Sequence, residues 1–154
     1  ALGEDSNDIG VNGDQGDNSA AYAGAAYVFS FRPWTDQGAG QAGTSGIPAL
    51  DGSGTLVAGS PGSLSLSSAA PSAASVLFIS LASTPAAFEC ASLEPTQVAI
   101  QIPLLTDGSG AITLPWASWP SALSGTTLTF QCAIQDAAAP GGVALSNALR
   151  ADAP

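Results

Sequence analysis

Residues 126–135 read TTLTFQCAIQ, a run rich in Thr, aromatic and aliphatic residues with no Gly, Pro or charge. The run reads as a β-strand. Working outward, residues 111–114, 97–102, 75–81, 63–67 and 55–58 on one side, and 143–149 on the other, read as further short strands. Turn signals separate them: SPGS at 60–63, AAPSAA at 69–74, DGSG at 107–110 and AAPGG at 138–142. Short strands with turns at this spacing predict an all-β fold, a small antiparallel β-sandwich over residues 55–154. No helix is expected, because the Ala-rich pieces are interrupted by Pro71 and Ser. DGSG also occurs at 51–54, and both copies read as a hairpin or bend.

Upstream of residue 55 the texture changes. Residues 1–20 form an acidic, Asn/Gly-rich loop holding Glu4, Asp5, Asp8, Asp14 and Asp17, five of the chain's 12 acidic residues. Residues 25–32, AAYVFSFR, alternate Tyr27, Phe29 and Phe31 against Val28, Ser30 and Arg32, which is a strong strand pattern. Residues 33–54 read as a Gly/Pro/Ser linker with Trp34 as its one anchor. The expected organisation is therefore 1–32 as an ordered extension carrying one orphan strand, 33–54 as linker, and 55–154 as the sandwich.

Charge narrows the function. Among 154 residues, Lys+Arg is 2 against Asp+Glu 12, for a net charge of -10, with no His. Such a surface has no basic patch to neutralise phosphates, which argues against nucleic acid, and an anionic membrane would repel it. Histidine-based triads and metal sites are absent, as is lysine Schiff-base chemistry. Charged residues are 9% of the chain, against roughly 25% in an average domain. A charge-poor, Ser/Thr/Gly-rich, Lys-free chain points to an extracellular or cell-surface protein. The longest apolar stretches, such as 74–82, fall far short of the ~20 residues of a spanning helix, so membrane insertion is not expected. The start at Ala1, without Met or a basic leader, reads as a processed or trimmed N-terminus.

Cys90 and Cys132 lie in strand-like contexts, FEC and TFQCAIQ. An oxidising compartment predicts a disulfide between them, closing a loop of about 40 residues and contributing ~4 kcal/mol in the chain-entropy picture. The alternative is two buried thiols. Asp5, Asn7, Asp8, Asn12, Asp14, Asp17 and Asn18, with glycines between them, supply the hard oxygens that calcium takes, six to eight at a time. A solvated acidic loop is the plainer reading of the same residues. Trp116 and Trp119, in PWASWP, are candidates for a sugar-stacking platform and equally for the closed end of a core. Glu89 and Glu94 are the weak candidates for a carboxylate pair of the kind glycoside hydrolysis uses.

Residues 3–29, with their acidic Asn/Gly loop followed by AYAGAAYVFSF, resemble part of an FG-GAP repeat. That resemblance implies a blade element of an integrin-α-like β-propeller with a calcium-binding loop. Residues 43–154 resemble a C-terminal β-sandwich domain of secreted proteins from environmental bacteria. The resemblance rests on GTSGIPALDGSGTL, PLLTDGSGAITLPW, LSGTTLTFQCAIQD and GGVALSNAL. It implies no chemistry.

A lone aromatic strand cannot bury itself, since a stable sheet needs several strands. Tyr27, Val28, Phe29 and Phe31 must therefore complete their own sandwich or add to the sheet of a neighbouring subunit. The expectation is a secreted, non-enzymatic structural subunit that polymerises with identical copies through this strand, stabilised by calcium. The alternative is a monomeric carbohydrate-binding or adhesion module.

Overall fold

The computed structural model describes residues 32–88 and 91–154. The calcium loop, the FG-GAP-like segment and the strand Tyr27–Phe31 expected from sequence lie outside these residues, as do Glu89 and Cys90. Residues 32–154 form one compact unit. It is all-β, with eleven strands and two short 3-10 turns among the described residues.

In chain order the strands are β1 Trp34–Gly38, β2 Ala49–Ser53, β3 Gly62–Ser67, β4 Ala74–Ser80, β5 Ala82–Phe88, β6 Ala91–Thr96, β7 Ile100–Leu105, β8 Ile112–Trp116, β9 Thr127–Gln135, β10 Val143–Leu145 and β11 Ala148–Asp152. One sheet runs β1-β11-β9-β4-β7, with β10 also on β9; a second runs β2-β3-β8; β5 and β6 form a separate hairpin. Every pairing is antiparallel.

The two sheets face each other across one apolar core. In β3, GSLSLS, alternation sends Leu64 and Leu66 inward and leaves the serines outside. From the larger sheet come Leu77 on β4, Leu128, Phe130, Cys132 and Ile134 on β9, and Leu149 and Ala151 on β11. β9 is buried along nearly its whole length because its outer face is covered too. There Phe78 and Ala133 pack with Leu93, Phe88 and Ala91 of the β5–β6 hairpin.

This two-sided burial corrects the expected disulfide. Cys132 carries a free, buried thiol. It faces the inter-sheet core, whereas the hairpin flanking position 90 packs on the opposite face of β9, so alternation along the strand turns Cys132 away from it. Burial pushes the Cys132 thiol up to about 12. Cys132 is accordingly expected to resist iodoacetamide at pH 8 in the folded chain and to react only as denaturant exposes it. Stoichiometric labelling of Cys132 in native buffer, read by peptide mass mapping, would refute that burial.

Two further expectations change. The stretch 33–54 is not a linker: it holds β1 and β2, whose strand character comes from pairing with β11 and β3 rather than from intrinsic propensity. Residues 55–58 are not a strand but lead into a turn closed by Ser60 N–H donating to Val57 O at 2.9 Å. The run 143–149 is two strands. At the break, Ser146 Oγ accepts the Cys132 N–H at 2.9 Å and stands in for a missing backbone acceptor.

One side of the sandwich is sealed. Asn147 Oδ1 accepts the Leu50 N–H at 2.7 Å and its Nδ2 donates to Leu50 O at 3.0 Å, so a carboxamide imitates a neighbouring strand along β2. Beside it the Trp34 indole donates to Gly54 O at 3.0 Å. Trp34 lies so flat on β2 that a Cβ at Gly52 would stand 2.2 Å from its ring, which is why glycine occupies that position.

Candidate functional site

The other side of the sandwich is open. β7 pairs only with β4 and β8 only with β3, so the two edges face each other across the gap between the sheets. The DGSG turn joins them. Asp107 Oδ1 accepts from Ala111 N at 2.9 Å, Ser109 Oγ at 2.7 Å and Ser109 N at 2.8 Å, and these donors, the Ala111 amide first, hold its carboxyl below the usual carboxylate range. Gly110 takes φ +76, with Ala69 O 1.9 Å from where a Cβ would sit.

Between these edges lies a cleft of about 360 Å³. Leu64, Leu77, Leu128 and Phe130 line its depth, Ile100 and Ile102 come from β7, and Leu114 and Trp116 from β8; Trp34 and Trp119 complete it. No charged side chain lines it, and Ser118 supplies the only side-chain hydroxyl. At its mouth Ile100 is 52% exposed. Volume and lining fall in the range of ligand-binding clefts.

The aromatic rings of the cleft are tilted against one another. Trp116 and Trp119 have ring centroids 5.2 Å apart at 58°, and Trp34 stands 6.2 Å from Trp116 and 6.0 Å from Phe130. The Trp116–Trp119 pair thus offers no flat, exposed face of the kind a sugar ring stacks on, and Trp119 is only 8% exposed. Both ring N–H groups are buried without a hydrogen-bond partner among the described residues. A sugar's many hydroxyls would meet almost no matching polar groups here.

Polar chemistry elsewhere is structural. Asp136 accepts from Thr44 Oγ at 2.7 Å, Thr44 N at 2.6 Å and Ala138 N at 3.0 Å. The Thr44 hydroxyl and then its amide hold the Asp136 carboxyl below its ordinary range. Asp152 is lowered chiefly by the Thr127 hydroxyl and then by Arg150, which pairs with it at 2.8 Å. A folded-state pKa below the unfolded one contributes stability above the unfolded value of about 3.9, lost as pH falls through the folded value. Melting temperature should therefore hold steady down to about pH 4 and then fall. Asp136→Asn should lower stability by about 2 kcal/mol at pH 7 and flatten that acid slope. An acid slope identical in the two proteins would show that Asp136 does not carry it.

Glu94 lies on β6, its backbone N–H donating to Gln131 Oε1 of β9 at 2.9 Å. Among the described residues no group of three or more His, Cys, Asp or Glu could hold a metal ion, and no helix is long and apolar enough to cross a membrane. Sequence reading singled out Trp116 and Trp119, which do line the cleft; it took Trp34 as a linker anchor and Ile100 and Ile102 as part of a strand, and placed none of the three at a site. The apolar alternation of IQI at 100–102 was the signal for the last two.

No family model, curated protein or solved structure matches this chain.

Proposed function

We propose that this chain is a secreted, non-enzymatic structural subunit, assembling with identical copies by adding the strand 25–32 of one copy beside β7 of the next. The supporting observation is the apolar cleft between the open β7 and β8 edges. A strand added at β7 directs alternate side chains to one face, here into the cleft, at a spacing of ~6.6 Å between them. Tyr27, Phe29 and Phe31 form such a set. Burying three aromatic side chains of roughly 150–250 Å² each, at ~25 cal/mol per Å², gives on the order of 10 kcal/mol before ordering costs. Association itself costs an estimated 4–15 kcal/mol, so binding of useful strength requires most of that burial. Head-to-tail addition builds an open filament where the rotation between successive copies does not close a ring. In this reading calcium held by Asp5, Asn7, Asp8, Asn12, Asp14, Asp17 and Asn18 braces the donated segment.

Sedimentation of the full chain across concentration, with calcium present, is the test. The expected result is mass that grows with concentration, and its collapse to a monomer in Phe29→Asp with an unchanged circular dichroism spectrum. Deleting residues 1–31 should likewise leave a folded monomer. A full-length chain that stays monomeric at high concentration overturns the reading. So does a deletion that unfolds the sandwich, since the strand would then belong to its own core.

A further inference from the structure

We infer that the cleft between β7 and β8 is a binding site for a small, neutral aromatic molecule of about two to three rings. This goes beyond strand addition and does not depend on it. A donated strand and such a molecule would occupy the same space, so each would displace the other.

The cleft is held open by its own hydrogen bonds. On the β8 side, the Trp119 N–H donates to Ser60 O and the Gly59 N–H donates to Trp119 O, both at 2.9 Å. The loop that carries Trp119 is thus bonded to the 57–60 turn as one strand is to another. Pro115 and Pro120 flank this loop, and each fixes its own φ. On the β7 side, the buried Thr106 hydroxyl donates to Ala70 O at 2.7 Å and accepts the Ala73 N–H at 2.7 Å. That side chain fastens the end of β7 to the turn before β4. These bonds keep the two rims apart. A preformed apolar cleft loses little binding energy to ordering itself.

Size and polarity set the occupant. A cavity of about 150 Å³ takes one benzene ring, so a cleft of about 360 Å³ takes roughly two to three rings. Trp34, Trp116, Trp119 and Phe130 in its wall favour aromatic rings, which pack edge to face against them. The one side-chain hydroxyl, on the exposed Ser118, can match one polar group on the ligand. Arg32 and Arg150 are the only cations of the chain, and neither lines the cleft. Against a net charge of -10, an anionic head group would lose its water there and gain no partner. A cationic group fares no better, since no carboxylate lines the cleft either. Charged amphiphiles are therefore rejected and neutral hydrophobes accepted.

The test uses the full-length chain and two fluorophores with one skeleton: neutral N-phenylnaphthylamine and anionic anilinonaphthalenesulfonate. All three tryptophans line the cleft, so energy transfer from them reports occupancy. The neutral probe should bind saturably, one per chain, and about tenfold or more tighter than the sulfonate. Ile100→Arg places a cation at the mouth, on a side chain already 52% exposed. It should narrow the gap between the probes to about threefold or less. Ile102→Trp fills the cleft and should weaken the neutral probe by about tenfold, read from the probe's own emission with the circular dichroism spectrum unchanged. No saturable binding of the neutral probe, equal affinity for the two probes, or binding that neither variant alters overturns the inference. Sedimentation of the same samples separates it from strand addition. A chain whose mass grows with concentration but takes no probe keeps strand addition and loses the ligand site. A chain that stays monomeric and takes the probe does the reverse.

Discussion

Replacing Gln131 with leucine should lower stability by about 3–5 kcal/mol. Gln131 sits at the middle of β9 and is 0% exposed. Its Oε1 accepts the Glu94 N–H at 2.9 Å, and its Nε2 donates to Ser146 O at 3.0 Å, Ala39 O at 3.2 Å and, at 3.4 Å, Ser92 O. One carboxamide thus ties β9 to the β5–β6 hairpin, to the β1–β2 connection and to the break between β10 and β11. Leucine fills nearly the same volume but makes none of these bonds, leaving buried backbone groups unsatisfied. For a unit of this size the melting temperature should fall by roughly 10–20 °C. Amide exchange should accelerate first in the β5–β6 hairpin, whose remaining attachment is the packing of Phe88, Ala91 and Leu93 on Phe78 and Ala133. A Gln131→Leu chain within 1 kcal/mol of the parent by urea unfolding would show that these bonds are not what holds the hairpin down.

The second large effect is at Trp34, where alanine should cost about 3–5 kcal/mol. The ring packs against Phe130 and Trp116 and covers Gly52, and its N–H reaches Gly54 O. Removing it unseals the β1/β2 side and enlarges the cleft at the same stroke. Trp34→Phe should recover most of the loss, falling short by about 1 kcal/mol for the missing hydrogen bond. Equal stability of the alanine and phenylalanine variants, by chemical denaturation, would contradict a packing role for the ring.

Trp34 also shows where sequence reading stops. Its neighbours TDQG and the later ALDGS have ordinary loop composition, and they become β1 and β2 only because β11 and β3 supply partners. The runs whose own pattern carries the information, Leu64 and Leu66 in β3, Val76 to Ile79 in β4 and the long β9, were legible at once. β5 and β6 were not: ASTPAAF and ASLEPT each contain Pro and mostly small residues, and their pairing carries a bulge between Ser83 and Ala86. The break inside 143–149 was hidden too, since nothing in VALSNAL says that Ser146 and Asn147 will spend their side chains on Cys132 and Leu50. The cleft was half legible. Its tryptophans stood out, but an opening between two sheets exists only once strand order is known, and strand order is a long-range property.

That strand order has a mechanical consequence. β1 and β11 are neighbours and antiparallel, with Trp34 opposite Ala151 and the Asp152 N–H donating to Pro33 O at 2.8 Å. The chain therefore enters β1 and leaves β11 at the same end of the sheet. Tension applied through residues 33 and 152 would load their bonds one after another, as a zip opens, and not all together in shear. A subunit built this way yields easily when pulled along its own chain. If copies join at β7 as proposed, force along the assembly would cross each subunit by another route, from β7 through β4 and β9, where long ladders lie side by side and share the strain.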